Sequence, residues 1–373
     1  MISMTEQPHQ LRRIPGDIPQ LQVVWRYELL RYLRSKRLLA SIAIVVAILA
    51  LIYVLPPVAG SPYRGTETNS AVTVIHIPPL HVDSMGITIY GYGSLSSNTI
   101  DTKTLELFVN GTAYPSNNGA NWVYSHSSSI MGIPLSANTI LFTQNVTGAV
   151  VTASYKWHTP VQDFDTRFIS FVSILVVICA TFFAADSIVG EYQNRTGYLM
   201  FPNPLKRSTL WFGKYAASMT AGIVVVGLFY LGVAVLSILT LGGADDDFGL
   251  SFGFALEYLV AVTAIAYLIS SIMKGSTGAL VLTFFLFVMI LPIVDSVSMF
   301  SAVKLSASLT FSAGVMSYSM YDPFPKDSVN SDFGITIHQY YPDELTSFVV
   351  IMIYAVVAIA ISIILFKRKE LLG

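Results

Sequence analysis

Residues 38–55 read LLASIAIVVAILALIYVL, a run with no charged residue. The hydrocarbon core of a bilayer is ~30 Å thick, and roughly 20 helical residues cross it. A helix of that length and composition has no face to offer water, so the run reads as a transmembrane span. Five more runs of the same kind place the six spans at 38–58, 168–189, 211–240, 252–271, 277–295 and 347–366. The third exceeds the minimum length, so it is either tilted or begins as an interfacial helix. Composition agrees: 53% of the residues are hydrophobic and 12% charged, and mean hydropathy is +0.62. That is about half the charge of a soluble domain, too little to cover a water-facing surface around so much apolar mass. The fold class that follows is an α-helical polytopic membrane protein with six transmembrane helices and an inserted extracellular β-rich, sandwich-like domain.

Outward from the first span, orientation comes from Lys and Arg, which collect on the cytoplasmic side of short loops and tails. Arg12, Arg13, Arg26, Arg31, Arg34, Lys36 and Arg37 precede the span, whereas 59–166 holds only Arg64, Lys103 and Lys156. No small-residue cleavage site follows the first run, so it is expected to stay as a span rather than leave as a signal peptide. With both termini cytoplasmic, Arg195, Lys206, Arg207, Lys214 and Lys274 fall inside, as does the 367–373 tail with Lys367, Arg368 and Lys369. The acidic turn Asp245-Asp246-Asp247 then falls outside. The expected location is the plasma membrane. Within 1–37, Leu21, Val24, Trp25, Leu29, Tyr32 and Leu33 recur at helical spacing among arginines. They predict a basic amphipathic helix lying on the cytoplasmic bilayer surface.

Segment 59–166 changes character, being rich in Ser, Thr, Asn and Gly with alternating apolar stretches. Ala71–Ile77, Gly86–Tyr92, Thr104–Val109, Asn138–Phe142 and Ala149–Trp157 are expected strands, with turns at Asn110-Gly111 and Asn117-Asn118-Gly119. They fit one sandwich, or an open sheet packed on the helices. Asn110 and Asn145 head glycosylation sequons here. Asn194 heads a third, but on the side assigned to the cytoplasm. Segment 296–346 is a second outer segment in which Val297–Met316 is expected to be interfacial or re-entrant.

The inner segment 190–210 carries the densest set of marks. Asp186 and Glu191 flank the end of the second span, Arg195, Lys206, Arg207 and Lys214 balance them, and Pro202 and Pro204 stop one short helix before the next begins. On residues alone this is a salt-bridged hairpin that another protein can read, or a solvated turn. The order Asp186, Glu191, Gly197, Leu199, Pro202 or Pro204, Arg207, Gly213-Lys214 resembles the ABC-2 family of ATP-binding-cassette permeases. Trp25-Arg26-Tyr27-Glu28-Leu29 followed by Arg34 is similar to that family's elbow helix. Relatives tend to show Gly-Thr where this chain has Thr196-Gly197. The resemblance implies a coupling hairpin at 190–207 that docks on a separate ATPase subunit, with Asp186, Glu191, Arg195, Gly197, Pro204, Arg207 and Lys214 as coupling residues. It also implies Trp25, Arg26, Glu28 and Arg34 as elbow residues, and two ATPase subunits working with two copies of this chain, in the export direction. ATP and Mg are expected on those partners, with no cofactor in this chain.

The residues point the same way on energy supply: no Gly-x-x-x-x-Gly-Lys-[Ser/Thr] loop is present, nor a His-Glu-x-x-His or Gly-x-Ser-x-Gly motif, so no enzyme is expected. Nothing predicts nucleic-acid binding. Cys179 is the only cysteine, which rules out an internal disulfide. His76, His81, His126 and His158 with Asp83 match no metal spacing. Glu257 is the one ionisable residue well inside a span, while Asp295 lies near a span end. Glu257 is expected to line a polar cavity, to pair with Lys274 or a partner chain, or simply to be hydrated. The mostly aliphatic spans favour an amphipathic or lipid-like cargo. The competing reading is a membrane anchor that acts through its outer domain.

Overall fold

The computed structural model describes residues 17–82, 86–95, 99–117, 119–125, 129–130, 133–134, 138–193, 206–301, 303–332 and 335–368. Among the described residues, six helices are long and apolar enough to cross a membrane: Lys36–Val58, Val161–Phe183, Arg207–Leu241, Phe248–Ile272, Ser276–Ser298 and Glu344–Arg368. The chain divides into two units, one of Met1–Ala50, Thr166–Val235 and Asp245–Gly373, the other of Leu51–Asp165 and Leu236–Ala244.

The first unit is helical. Helix α1 (Asp17–Leu33) precedes α2 (Lys36–Val58), and the second span is built from α3 (Val161–Ile169) and α4 (Val172–Phe183). A run of turns leads from α4 into the short α5 (Val189–Gln193). Helices α6 (Arg207–Leu241) and α7 (Phe248–Ile272) follow. Against the expected 168–189, the second span therefore starts and ends earlier. Its first turns carry Asp163, Asp165 and Arg167 on an amphipathic helix, which hides them from a search for apolar runs. Its far end breaks at Phe183 because side chains from other helices take over the backbone groups there.

The fifth span is α8 (Ser276–Phe285), a π-helical turn (Leu286–Ile290) and α9 (Leu291–Phe300). Pro292 lacks the N–H that an α-helix needs at that position, and the wider turn just before it absorbs the interruption. Two short helices follow, α10 (Leu309–Ala313) and α11 (Val315–Tyr318), where the sequence predicts one interfacial or re-entrant helix over Val297–Met316. Leu309, Ala313, Val315 and Met316 are buried. Ser251 of α7 donates to the Met316 carbonyl at 2.6 Å, anchoring that turn on the bundle. A hairpin of β12 (Ser328–Asp332) and β13 (Ile335–Gln339), not foreseen, leads to the last span α12 (Glu344–Arg368).

The second unit holds a β-sandwich. One sheet runs β1 (Arg64–Ala71), β11 (Val151–His158), β5 (Glu106–Val109), β6 (Thr112–Ala113), with β4 (Thr99–Ile100) also on β11. The other runs β2 (Val74–Val82), β3 (Ile87–Ser94), β10 (Thr139–Phe142), β7 (Trp122–Ser125). A further pair, β8 (Ser129–Ile130) and β9 (Ile133–Pro134), stands apart. Leu107, Val151, Ala153 and Tyr155 of the first sheet pack with Trp122, Ile140 and Phe142 of the second, which makes the sandwich. The expected strand Ala71–Ile77 is found from Val74 onward as the start of β2, but its first residues form a corner: β1 ends at Ala71, β2 starts at Val74, and the two lie in different sheets. Val72 at the corner is buried in the shared core, so apolar alternation continues through the bend. The unforeseen β1 and β7 are edge strands, and the polar RGTETNSA sequence of β1 carries no apolar alternation.

Asn110 and Gly111 have φ of 51° and 78° and form the two-residue turn between β5 and β6, where Val109 pairs with Thr112. Asn-Gly tolerates these left-handed values, and the turn's twist matches that of the strands. Asn110 and Asn145 are both exposed. The Asn194 sequon, Asp83 and His126 lie outside the described residues.

Candidate functional site

At one end of the helical unit, the start of α2, the ends of α4 and α7, and the starts of α6 and α8 meet α1. Helix α1 comes close because position 213 is glycine: a Cβ added there would lie 2.6 Å from Val24 Cγ1. Trp25 then donates its indole N–H to Thr220 Oγ1 at 3.1 Å. One turn on, Glu28 is 1% exposed and receives Lys214, also 1% exposed, at 2.6 Å; Lys214 donates in turn to Glu191 Oε1 at 2.7 Å. Arg31 completes the cluster, 3.0 Å from Glu28 and 3.6 Å from Glu191. Its contact with Glu28 Oε2 is Coulombic rather than an aligned hydrogen bond. Burial opposes the Arg31 guanidinium, but the carboxylates of Glu28 and Glu191 outweigh it and hold its pKa above the usual arginine value. Two carboxylates and two cations leave the cluster neutral, the condition under which charge survives burial.

The break after α4 is satisfied by the same neighbourhood. The hydroxyls of Tyr32 and Ser218 donate to the Phe183 carbonyl at 2.7 and 2.8 Å, and Ser270 Oγ accepts from Ile188 N and Val189 N at 3.1 and 3.0 Å. Tyr267 donates to Ser187 and lies 2.9 Å from Ser218. A helix interrupted inside a membrane bundle needs such substitutes, because no water reaches its freed backbone groups. Beside the break, Arg37 grips Asp186 with both guanidinium nitrogens at 2.8 and 2.7 Å, a bidentate pair. Gln193 Oε1 accepts from Ser276 N, capping α8, and Arg207 donates to the Lys367 carbonyl at 2.9 Å.

Over residues 22–371 the sequence matches the family model described as ABC-2 family transporter protein. This chain belongs to the ABC-2 family. No curated protein matches it. The fold of this ABC-2 permease is the six-span bundle with its inserted β-rich region. Among the described residues, no group of three or more His, Cys, Asp or Glu is placed to hold a metal ion.

The sequence-predicted site residues divide. Asp186, Glu191 and Lys214 are brought together with Trp25 and Glu28 at one bundle end, while Arg26 on α1 and Arg34 in the turn just after it are exposed. Arg195, Gly197 and Pro204 lie outside the described residues. Glu191, expected to present itself to a partner, is instead buried against Lys214. The α1 face containing Val24, Trp25 and Tyr32, expected to lie on the bilayer, is seated on the protein. A different stripe, Val23, Tyr27 and Leu30, is exposed. Glu257 has no hydrogen bond to Oε1 and forms no ion pair with Lys274 among the described residues. Seventeen helical positions separate the two, about 25 Å. Tyr32, Ser218, Tyr267 and Ser270 were missed as site residues, since a hydroxyl in a span carries no sequence signal of its own.

Proposed function

We propose that this permease is the membrane half of an ATP-driven exporter in the plasma membrane, two copies working with two ATPase subunits that bind ATP and Mg. Both termini are cytoplasmic and the β-sandwich is outside. Closure of the ATPases pushes on hairpin 190–207, with Arg195, Gly197, Pro204 and Arg207 as the docking side. Asp186, Glu191 and Lys214 pass the push into the bundle together with the elbow residues Trp25 and Glu28. Arg26 and Arg34 face lipid phosphates. The observation that carries the reading is the buried cluster Glu28–Lys214–Glu191. It fastens the elbow helix, α5 and the start of α6 to one another, so force at the hairpin moves all three rather than bending a loop. Such a rigid joint can bias a two-state bundle from a distance. The apolar spans support an amphipathic or lipid-like cargo.

The test is purification of the tagged chain from its native membrane in mild detergent, with mass spectrometry of what accompanies it. A near-stoichiometric ATPase carrying a phosphate loop is expected, and Arg207→Glu should lower its yield. A preparation without any ATPase, repeated after cross-linking, overturns the exporter reading and favours a membrane anchor that works through its β-sandwich.

A further inference from the structure

A cavity of about 320 Å³ lies among α4, α7, the fifth span and α10. Its lining includes Ser173 and Val177 of α4, Tyr258 of α7, Phe287 of the π turn, Asp295 of α9 and Thr310 of α10. Asp295 is the only charged residue in that lining. Its Oδ2 accepts the Thr310 hydroxyl, which fixes the carboxylate. Its Oδ1 is withdrawn from solvent and accepts no hydrogen bond among the described residues. Lys304, the one basic residue between Asp295 and Thr310 in the chain, is committed elsewhere, with both Asp327 oxygens at 3.1 and 2.8 Å.

A carboxylate oxygen withdrawn from solvent near the end of a membrane span is costly unless something positive meets it. Here the protein supplies a hydroxyl on one oxygen and leaves the other without a donor, beside a partly open cavity. The remaining walls are aliphatic and aromatic. The rings of Phe287 and Tyr258 favour a cation over an anion at their faces, and the lining offers an anion no positive charge.

We infer that this cavity holds an apolar molecule bearing a positive charge, such as an amine or quaternary ammonium, with Asp295 as its counter-ion and Thr310 as the group that orients the carboxylate. As a statement about cargo this rests on the exporter reading; as a binding site it stands apart from it.

The experiment uses the purified full chain in zwitterionic nanodiscs, titrated with the lipophilic cation tetraphenylphosphonium and, in parallel, with tetraphenylborate, an anion of the same shape. Saturable binding of the cation above that of empty discs is expected, and Asp295→Asn should weaken it by about thirtyfold or more, the lower end for removing one partner of a buried charge pair. Asp295→Glu should retain binding, and Ser173→Trp, in the lining of the same cavity, should abolish it by filling the space. Equal binding of cation and anion, or Asp295→Asn and Ser173→Trp both binding as the wild type does, overturns the inference. Cation binding through Asp295 in a chain that brings down no ATPase keeps the site and removes the exporter reading. An accompanying ATPase without cation binding does the reverse.

Discussion

Lys214 has no route to water: it is 1% exposed, and its ammonium sits between Glu28 and Glu191. Its value to the fold lies less in the attraction than in what its loss would leave, because two buried carboxylates would then share one half-exposed arginine. Lys214→Met should destabilise the chain by about 3–5 kcal/mol, the range for breaking a buried ion pair. Replacing all three groups together, Glu28→Leu with Lys214→Met and Glu191→Leu, should recover most of that loss. Thermal unfolding in detergent measures both, and a Lys214→Met chain as stable as the wild type would remove the cluster from the account. From sequence, Lys214 reads as a basic residue opening the third span, and its sign and place in the chain are correct. Its partner is not legible, since Glu28 lies 186 residues away. Glu257 is a contrasting case. It stands out as the charge inside a span, yet the neighbouring Tyr258 lines the cavity. One residue turns the side chain about 100° around a helix axis, and composition carries no rotation.

Among the elements, the interruption between α4 and α5 depends on one serine of another helix. Ser270 Oγ holds two adjacent backbone N–H groups, and removing it strands both in a buried setting. Ser270→Ala should cost about 1–3 kcal/mol, the penalty for unsatisfied buried donors. Ser270→Thr, which keeps the hydroxyl, should cost less. Comparison of the two by thermal unfolding checks this, and equal losses would assign the effect to packing instead. The apolar runs locate this span but not its ends. Its polar first turns do not register as membrane helix, and its break is decided by Tyr32, Ser218 and Ser270 on three other helices. The sandwich divides in the same way. Central strands β10 and β11 are read correctly because each carries buried apolar residues, every one in β10 and alternate ones in β11, while edge strands β1 and β7 escape notice because they are polar or short.

For the molecule as a whole, the distribution of Lys and Arg makes a testable statement about sidedness. Cys179 is buried in the bundle and leaves a nearly silent background for introduced thiols. Lys103→Cys, exposed on the sandwich, should react with a membrane-impermeant maleimide on intact cells, and Arg34→Cys, exposed in the turn after α1, only after lysis. The reverse pattern would invert the orientation. The number of spans, the inserted β-rich region and the family are legible in the chain alone, because each rests on local composition or on residue order. A bilayer selects apolar runs one at a time, without reference to their neighbours. Tertiary packing alone sets that Glu191 is buried against Lys214, that the elbow helix packs one apolar face on the protein and exposes another, and that Asp295 lines a cavity. Those outcomes depend on which helix meets which, across separations such as the 149 residues between Arg37 and Asp186. The pairing minimises unsatisfied charge and hydrogen-bonding groups over the whole bundle at once, so no single stretch of sequence contains it.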